Sequence, residues 1–323
     1  MKNIFLFVLS FSVYAMSYAQ TNSLYPQWKK GDFKKVTYKD IIPNIEEGIA
    51  LDNDTSITTF IWEVMDVQDT TVILSIIPLN IEIKTKNKEL IKESQFLIDI
   101  FQLLREKALS IPYISRRNGV LFTPKNSADL MEDYNARYIQ QTDLINAVKN
   151  ISFSESIQQY IDQNQVNKDS LSRYLLLTYI DGMISTIHSP FGKDFTYNQA
   201  VSVAEMNAAD WEVFMPSLDF EKSRRLFTGQ FEFLKLKESI ECPFRFQTSY
   251  ISADSNKETT SKKKKKKRKP SKNDFVFKIT YSGNYIFSAK NFIPLKYFLS
   301  NSTELKKGGN TLSKTPQQII TFE

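Results

Sequence analysis

The spacing of hydrophobic residues changes twice along this chain, and these changes divide it into three parts. In residues 33–84 the apolar positions recur at every second residue, as at Phe60 and Trp62, which is typical of strands with one buried face. Short polar breaks between such runs predict hairpins. Pro78 has no N–H group to give to a neighbouring strand, so the residues after it, 79–84, are expected at a sheet edge.

The middle part, residues 91–188, is predicted to be mainly helical. Its first apolar stripe follows helical spacing up to Pro112, which is expected to end the helix. This stripe consists of Leu97, Ile100, Phe101, Leu104 and Ala108. Further helices are predicted over 127–148, over 152–163 with a capping-box spacing at its start, and over 171–187. The apolar side of the last helix is assigned to Leu171, Tyr174, Leu175, Thr178, Met183 and Ile187.

Strand spacing returns in residues 195–323. Residues 244–250 and 275–281 alternate apolar and polar side chains, which predicts the two arms of one hairpin around an inserted, disordered loop at 252–274. Because strands stand on both sides of the helical part, the terminal strands are expected to complete one sheet. The whole pattern predicts an α+β fold in which a curved antiparallel sheet, resembling half a barrel, packs on a central helical block.

The first residues carry a different signal. A short basic start precedes an almost unbroken apolar run over 4–15, and Ser17 and Ala19 are small residues at the two positions that a signal peptidase reads. Residues 1–19 are therefore predicted to be a secretory signal peptide, and residues 20–323 a single exported domain, periplasmic or secreted. No later apolar stretch reaches the ~20 residues that a membrane-spanning helix needs, so no transmembrane segment is expected after cleavage.

The amino-acid composition excludes several kinds of functional site. The chain has only 9 glycines, under half the usual share of roughly 7%, and it contains neither a dinucleotide-binding glycine motif nor a phosphate loop. Cys242 and His188 are the only residues of their types, so one chain can build neither a disulfide nor a zinc site from His and Cys. We expect a non-catalytic protein without a metal or cofactor. A hydrolase with an unrecognised site, using acids or His188, is the alternative.

Both of these single residues also have simple structural interpretations. Cys242 is expected to be a buried small hydrophobe on a strand. His188 follows an apolar helical stripe and precedes Ser189 and Pro190. This places His188 at the C-terminal end of the helix, where a cation interacts favourably with the helix dipole.

A run of eight consecutive basic residues lies within the predicted loop 252–274. It consists of Lys262, Lys263, Lys264, Lys265, Lys266, Lys267, Arg268 and Lys269. These eight charges exceed the formal net charge of +6, so the remainder of the chain is mildly acidic. The run is predicted either to be a solvated loop tip or to contact an anionic surface of the cell envelope. No aromatic residue lies between Ser252 and Asp274, which argues against binding of single-stranded nucleic acid.

Several strands also carry a family resemblance. Lys30-Gly31-Asp32-Phe33 opens the first strand pair, which continues through 59–74, and later strands run over 275–281 and 285–290 before Asn291-Phe292-Ile293-Pro294-Leu295. This pattern is similar to exported proteins with a half-barrel sheet related to the LolA/LolB lipoprotein carriers. The resemblance implies a strongly curved antiparallel sheet that wraps over helices and encloses an apolar cavity able to hold acyl chains. It is a resemblance of pattern, so no functional residue is carried over.

These observations together predict a non-catalytic exported protein that binds a lipid or another apolar ligand. The residues proposed to line its pocket are Phe60, Trp62, Phe246, Phe277 and Tyr285. The same aromatic residues would equally well form an ordinary hydrophobic core. The alternative to ligand binding is a structural or interaction protein of the envelope that contacts an anionic surface through its lysine-rich loop.

Overall fold

A computed structural model describes residues 22–43, 45–46, 49–50, 53–122, 130–140, 142–149, 153, 155–164, 167–215, 218–252, 275–307 and 310–323. The predicted signal peptide, the predicted N-caps Ser127 and Ser152, and the lysine-rich run 262–269 lie outside these residues. Their predictions therefore stay predictions.

The described chain begins with strands and ends with strands. The first elements are β1 (Asn22–Ser23), β2 (Phe33–Ile42), β3 (Ile45–Glu46), β4 (Ile49–Ala50), β5 (Asp54–Val67), β6 (Thr71–Lys84), α1 (Lys88–Glu106) and β7 (Ile111–Arg116). The middle elements are α2 (Leu130–Arg137), α3 (Thr142–Lys149), α4 (Glu155–Asn164) and α5 (Lys168–His188). Next come β8 (Asp194–Phe195), β9 (Ala200–Ser202), α6 (Ala208–Phe214), α7 (Phe220–Ser223) and a 3₁₀ turn (Arg224–Leu226). The last are β10 (Thr228–Glu232), β11 (Leu234–Lys235), β12 (Ser239–Ser252), β13 (Phe275–Ser288), β14 (Pro294–Lys307), β15 (Asn310–Lys314) and β16 (Gln317–Phe322).

One large antiparallel sheet contains twelve of the described strands. Its order is β7-β6-β5-β2-β16-β14-β13-β12-β10-β9, with β11 beside β12 and β15 beside β14. The sheet is open, because its described end strands are β7 and β9. Strands from both ends of the chain meet where β2 pairs with β16, which confirms that the terminal strands complete one sheet. The predicted long hairpin is confirmed as well, since β12 and β13 pair as far as Ser252 and Phe275.

The register of the sheet places a continuous row of buried side chains on one face. Directly opposed residues of antiparallel strands point to the same side of a sheet. Following the pairs from β5 to β12 gives a row that we call the core row: Thr58, Tyr38, Ile320, Tyr297, Tyr285 and Cys242. Every member of this row is buried. We call strands β7 to β2 and strands β16 to β9 the two halves of the sheet. The same face therefore carries the hydrophobic core from one half to the other.

Helix α5 is hydrogen-bonded to the core row in both halves of the sheet. The hydroxyls of Tyr179 and Thr58 are 2.5 Å apart, and the hydroxyl of Tyr297 donates to Ile187 O at 3.1 Å. Helix α1 packs against β6. A buried tyrosine needs a partner for its hydroxyl, so these contacts fix the position of α5 along the sheet as well as its distance from it.

Helix α1 ends earlier than its sequence pattern predicts. Its buried side chains are Phe96, Ile100, Phe101 and Leu104. The helix stops at Glu106, and Ala108 is exposed with a left-handed φ of 50°. Leu109 N–H then donates to Leu104 O at 2.8 Å, which closes the helix as a Schellman motif. Pro112 does not end the helix but lies in the end strand β7, where the missing N–H is tolerated.

Two predictions in the helical part were wrong in detail. Tyr138 forms an isolated bridge with Tyr113 of β7, and this contact separates α2 from α3 where one helix was predicted. Helix α5 is buried on a broader face than the predicted stripe, because it contacts the sheet and also α3. Its buried apolar residues are Leu176, Leu177, Ile180, Met183, Ile184 and Ile187. Leu171, Tyr174 and Leu175 are half-buried, and Thr178 is exposed.

The prediction of strands from residue 195 onward missed α6 and α7. Asn207 caps α6, since its side chain accepts from Asp210 N–H at 2.9 Å and the Asp210 carboxylate accepts from Asn207 N–H at 3.3 Å. This reciprocal pair is a capping box, and its spacing was available in the sequence. The edge prediction was correct, because β7 pairs with β6 only over residues 71–76, and among the described strands residues 79–84 pair with β5 alone.

Replacement of Ala108 by glycine should stabilise the protein. A left-handed backbone strains a residue with a Cβ atom, and Ala108 is exposed, so little packing is lost. We expect Ala108→Gly to raise the free energy of unfolding by about 1 kcal/mol, measured as a higher urea midpoint at unchanged slope. Ala200→Gly is the matched control at an exposed position of strand β9, where φ is not left-handed, and it should be neutral or destabilising. Equal effects of the two variants would contradict this explanation.

Candidate functional site

A cavity of about 460 Å³ lies beside the core row. It extends across the β2–β16 pair, where the two halves of the sheet meet. Its walls come from β2, β16, β14, β13 and β12, from α6, and from the end of α5. The sheet supplies the next row on the same face, two residues along each strand, which we call the pocket row. Its members are Asp40, Gln318, Leu299, Gly283 and Phe244. The core therefore opens into a cavity along the pocket row, which is polar at Asp40 and Gln318 and aromatic at Phe244.

Gly283 allows the ring of Phe244 to lie against the sheet. A Cβ atom at Gly283 would lie 2.2 Å from Phe298 O and 2.8 Å from Cζ of Phe244. No side chain fits at that distance, so only glycine permits this approach. The ring of Phe244 in turn stacks on Tyr285 with centroids 5.5 Å apart. These two rings form the apolar floor of the cavity.

Helix α6 supplies the apolar wall that faces this floor. Val213 and Phe214 line the cavity. The centroids of the Phe214 and Phe244 rings are 4.8 Å apart. Trp211 anchors the helix, because its indole N–H donates to Leu218 O at 2.8 Å and its ring meets Phe227 edge to face. A short helix that is capped and anchored in this way holds its apolar side chains at fixed positions.

The opposite end of the cavity is polar and contains a half-buried carboxyl group. Burial raises the pKa of Asp40, and a hydrogen bond with Gln318 partly opposes that rise. Asn301 and Gln317 add amide groups. None of the described residues that line the cavity is basic. This end therefore suits a ligand group that donates hydrogen bonds or carries positive charge.

A separate chain of buried hydrogen bonds connects the end of α5 with β5 and β7. Trp62 Nε1–H donates to the Tyr113 hydroxyl at 2.6 Å, and that hydroxyl lies 2.9 Å from His188 Nε2. His188 Nδ1 lies 2.6 Å from Gly119 O. Since an indole N–H can only donate and a carbonyl can only accept, the Tyr113 hydroxyl donates to Nε2 and Nδ1 carries the proton. Every donor and acceptor in this chain of hydrogen bonds has a partner when His188 is neutral.

Burial of His188 supports this neutral form. The ring is 3% exposed, and burial lowers its pKa from 6.5 to about 4. The expectation of a cation at the helix C-terminus was therefore wrong, because desolvation outweighs the helix dipole. Both ring nitrogens already have partners, so the ring is not placed to act as a general base. Gly119 has a left-handed φ of 86°, and a Cβ atom there would meet the Phe191 ring at 2.7 Å.

A buried ion pair lies close to this chain of hydrogen bonds. The Arg137 guanidinium pairs with the Asp181 carboxylate, and Tyr138 donates to the same carboxylate at 2.9 Å. Arg137 Nε–H also donates to Phe122 O at 3.1 Å, and Ser185 donates to Asp181 at 3.3 Å. The charges are thus paired and hydrogen-bonded on several sides, which is typical of a structural ion pair that joins α2 to α5.

The five residues proposed from the sequence as a pocket lining do not come together. Tyr285 lies in the cavity wall, and Trp62 belongs to the buried hydrogen-bonded chain. Phe60 and Phe246 are fully buried. The centroid of the Phe246 ring lies 5.4 Å from the centroid of the Phe214 ring, and Phe214 lines the cavity. Phe277 is half-buried, further along the β12–β13 hairpin. Their role in ligand binding stays a prediction.

The sequence patterns missed the residues that define the polar end of the cavity. Asp40 and Gln318 are 278 positions apart in the chain but directly opposed in the sheet. No local signal marks such a pair, since it depends on which terminal strands meet. The prediction for Cys242 is confirmed. Its thiol is fully buried on β12, and burial raises its pKa well above its usual value, which makes it unreactive.

Within the described ranges, no group of three or more His, Cys, Asp or Glu residues is arranged to hold a metal ion. None of the described helices is both long enough and apolar enough to cross a membrane. No protein-family model matches the chain, and a search of curated proteins finds no match.

Replacement of His188 by glutamine should flatten the dependence of stability on pH. A histidine pKa that falls from 6.5 in the unfolded chain to about 4 in the folded one contributes stability above pH 6.5 that is lost as the pH falls towards 4. The loss should approach 1.4 kcal/mol per pH unit and total about 3 kcal/mol. His188→Gln should lack this component, although it is less stable than the wild type at pH 7.5.

Urea unfolding between pH 4.5 and 7.5 measures the difference between the two proteins. His188 is the only histidine in the chain, so no other imidazole contributes to the comparison. Asp40, whose raised pKa acts in the opposite direction, is present in both proteins and cancels in the difference. Parallel curves for wild type and variant would show that His188 is not buried in its neutral form.

Proposed function

We propose that this protein binds the apolar part of an amphipathic molecule, such as a lipid, in the cavity between the pocket row and α6, and that it does so without catalysis. The observation that carries the proposal is the cavity itself, about 460 Å³ with an aromatic floor and one polar end. Small-molecule sites in proteins are typically clefts of about 300–1,000 Å³ with mostly apolar walls and few polar groups. The cavity has this character.

The polar end specifies which headgroup is preferred. Asp40 provides a carboxyl group, and Gln318 and Asn301 provide amide oxygens, with no basic side chain among the described lining residues. A ligand carboxylate would meet a carboxyl group there and would be disfavoured by charge repulsion. An ammonium, amide or hydroxyl headgroup would be favoured because it can donate to these oxygens.

Two predictions from the sequence extend this proposal. The half-barrel curvature of the sheet over a helical block would enclose the cavity in the way that the LolA/LolB-like pattern implies. Export by the signal peptide 1–19 would place the protein in the envelope or outside the cell, where amphipathic molecules are its neighbours. Residues 20–323 would then form a single binding domain.

The first experiment is native mass spectrometry, with solvent extraction, on protein purified from its own envelope. A lipid that co-purifies at about one per chain supports the proposal and identifies the ligand class. The binding site is then tested with Leu299→Trp, because Leu299 is a half-buried member of the pocket row and the larger ring would fill the cavity. We expect at least a tenfold loss of affinity for dodecylamine, measured by calorimetry. Leu312→Trp, on the exposed strand β15, is the matched control and should bind normally.

The headgroup preference is tested in the same measurement. Wild-type protein should bind dodecylamine more tightly than dodecanoate, and Asp40→Asn should reduce that preference several-fold. Asp69→Asn removes an exposed carboxylate from the β5–β6 turn and should leave the preference unchanged. If Leu299→Trp folds normally and binds both molecules as well as the wild type does, the cavity is not the binding site.

A second candidate function is contact with an anionic envelope surface. The specific observation is that β12 and β13 remain paired up to Ser252 and Phe275, so the segment 253–274 joins the outer ends of this hairpin. The eight basic residues 262–269 are therefore tethered to the end of a long paired ribbon. Basic residues near an anionic membrane contribute about 1 kcal/mol each, and salt weakens the attraction.

Neutralisation of the basic run should abolish this contact. We expect wild-type protein to sediment with vesicles of phosphatidylglycerol and phosphatidylcholine at 50 mM salt, less at 500 mM, and not with phosphatidylcholine alone. A variant with glutamine at all eight positions 262–269 should stay in the supernatant while keeping its urea midpoint. Binding that is insensitive to salt and to these substitutions would remove this candidate.

A further inference from the structure

Strands β12, β13, β14 and β15 extend beyond the larger cavity as a four-stranded ribbon. β10 pairs with β12 only as far as Gln247, and β16 pairs with β14 only as far as Ser300. Further out, the described strands that still pair are these four alone. From Gly283 of the pocket row to Phe277 near the end of the ribbon is six residues along β13, or about 20 Å.

A row of apolar side chains crosses the inner face of the ribbon near its end. The register opposes Phe277 to Leu305 and Leu305 to Leu312, and we call these three residues the outer row. Strand alternation places them on the same face as the core row and the pocket row. Ile279 lies between the outer row and Tyr281, which lines the cavity. The outer row therefore continues the cavity wall outwards.

The outer row is not covered by the hydrophobic core. Tyr281 packs against that core. Phe277, Ile279 and Leu305 are half-buried, and among the described residues they neither belong to the core nor pack against it. Leu312 is 47% exposed. Apolar side chains that are adjacent on a surface, with polar ones around them, indicate contact with another protein or with a membrane.

The opposite face of the ribbon is mostly polar. It carries Lys278 opposite Glu304 and Lys306 opposite Thr311, and Lys306 Nζ lies 2.7 Å from Glu304 Oε1. Lys314 is exposed on the inner face, one step behind the outer row. The ribbon is thus amphipathic, and its lysines outnumber its single glutamate.

The chain itself offers little to cover the outer row. Residues 253–274 and 308–309 join the strands at this end of the ribbon, and their only apolar side chains are those of Ala253 and Pro270. The basic run 262–269 belongs to the first of these connections, so a second copy on the outer row would bring two such runs together against their repulsion. An anionic bilayer attracts these charges and also accepts apolar side chains.

We propose that the inner face of the ribbon docks on an anionic lipid bilayer, with Phe277, Leu305 and Leu312 inserted below the headgroups. This inference rests on the second candidate function, and it adds the described side chains that make the contact. Lys314 can lay its stem along the apolar row and keep its ammonium group at the headgroups. Since the outer row continues the cavity wall, docking brings the cavity within about 20 Å of the bilayer.

A fluorescent label at position 312 reports insertion directly. Leu312→Cys provides an exposed thiol for an environment-sensitive fluorophore, whereas Cys242 is fully buried. On addition of phosphatidylglycerol and phosphatidylcholine vesicles, we expect the emission to shift to shorter wavelength and to be quenched by spin-labelled lipid. Leu236→Cys is the matched control, because Leu236 is 48% exposed and lies in the turn before β12, at the opposite end of that strand. Its label should stay in water.

Substitution by serine measures how much the apolar contact adds to membrane affinity. Leu312→Ser should weaken partitioning onto the same vesicles about tenfold, as expected for removing one leucine from contact with lipid. The urea midpoint should not change, because the side chain is exposed in the free protein. Leu236→Ser should partition as the wild type does.

The outcomes separate this inference from the candidate function on which it rests. If wild-type protein does not bind the anionic vesicles, both are wrong. If binding is lost with glutamine at 262–269, while Leu312→Ser binds normally and the label at position 312 stays in water, the electrostatic contact stands and the docking face is wrong. A lipid-free dimer that Leu312→Ser dissociates in sedimentation equilibrium would show that a second copy covers the row, and would also overturn the inference.

Discussion

The pairing of β2 with β16 is the interaction on which the rest of this structure depends. Three strands, β5, β6 and β7, lie on one side of this pair, and the strands from the last part of the chain lie on the other. The pair runs from Val36 with Phe322 to Ile41 with Gln317, and it joins residues almost a whole chain length apart. Because a shift by one residue would turn every side chain to the other face, this single register aligns the inner faces of both halves.

The position of the larger cavity follows from that register. The pair of Tyr38 with Ile320 belongs to the core row, and the next pair on the same face, Asp40 with Gln318, begins the polar end of the cavity. Helix α5 holds the two halves against each other, since it bonds to Thr58 on one side and to Tyr297 on the other. The site proposed for ligand binding is therefore a product of long-range pairing.

The chain of buried hydrogen bonds that ends at His188 has a structural role, in contrast to the cavity. It satisfies every polar atom that it contains, and it connects β5, β7 and the turn at Gly119 with the end of α5. Such fully satisfied polar groups make a core rigid and specific. The contrast is with three buried side-chain atoms that have no hydrogen-bond partner among the described residues: Trp28 Nε1, Ser75 Oγ and Asn284 Oδ1.

Local features of this protein could be predicted from its sequence. Alternating aromatic residues predicted β12 and β13 and their pairing, and the burial of Cys242 followed from its place in such a strand. These features depend on neighbouring residues, whose periodicity is visible in one segment of sequence. Even the capping box at Asn207 that reveals α6 was readable there.

Features that join distant segments could not be predicted and became visible in the folded protein. The tertiary structure placed Asp40 opposite Gln318, and it brought His188 to Tyr113 in surroundings that keep the imidazole neutral. It also buried α5 on faces that its apolar stripe did not indicate. The physical reason is common to all of them. Burial, pKa shifts and cavities depend on which elements pack together, and that choice belongs to the whole chain and leaves no periodic signal in any single segment.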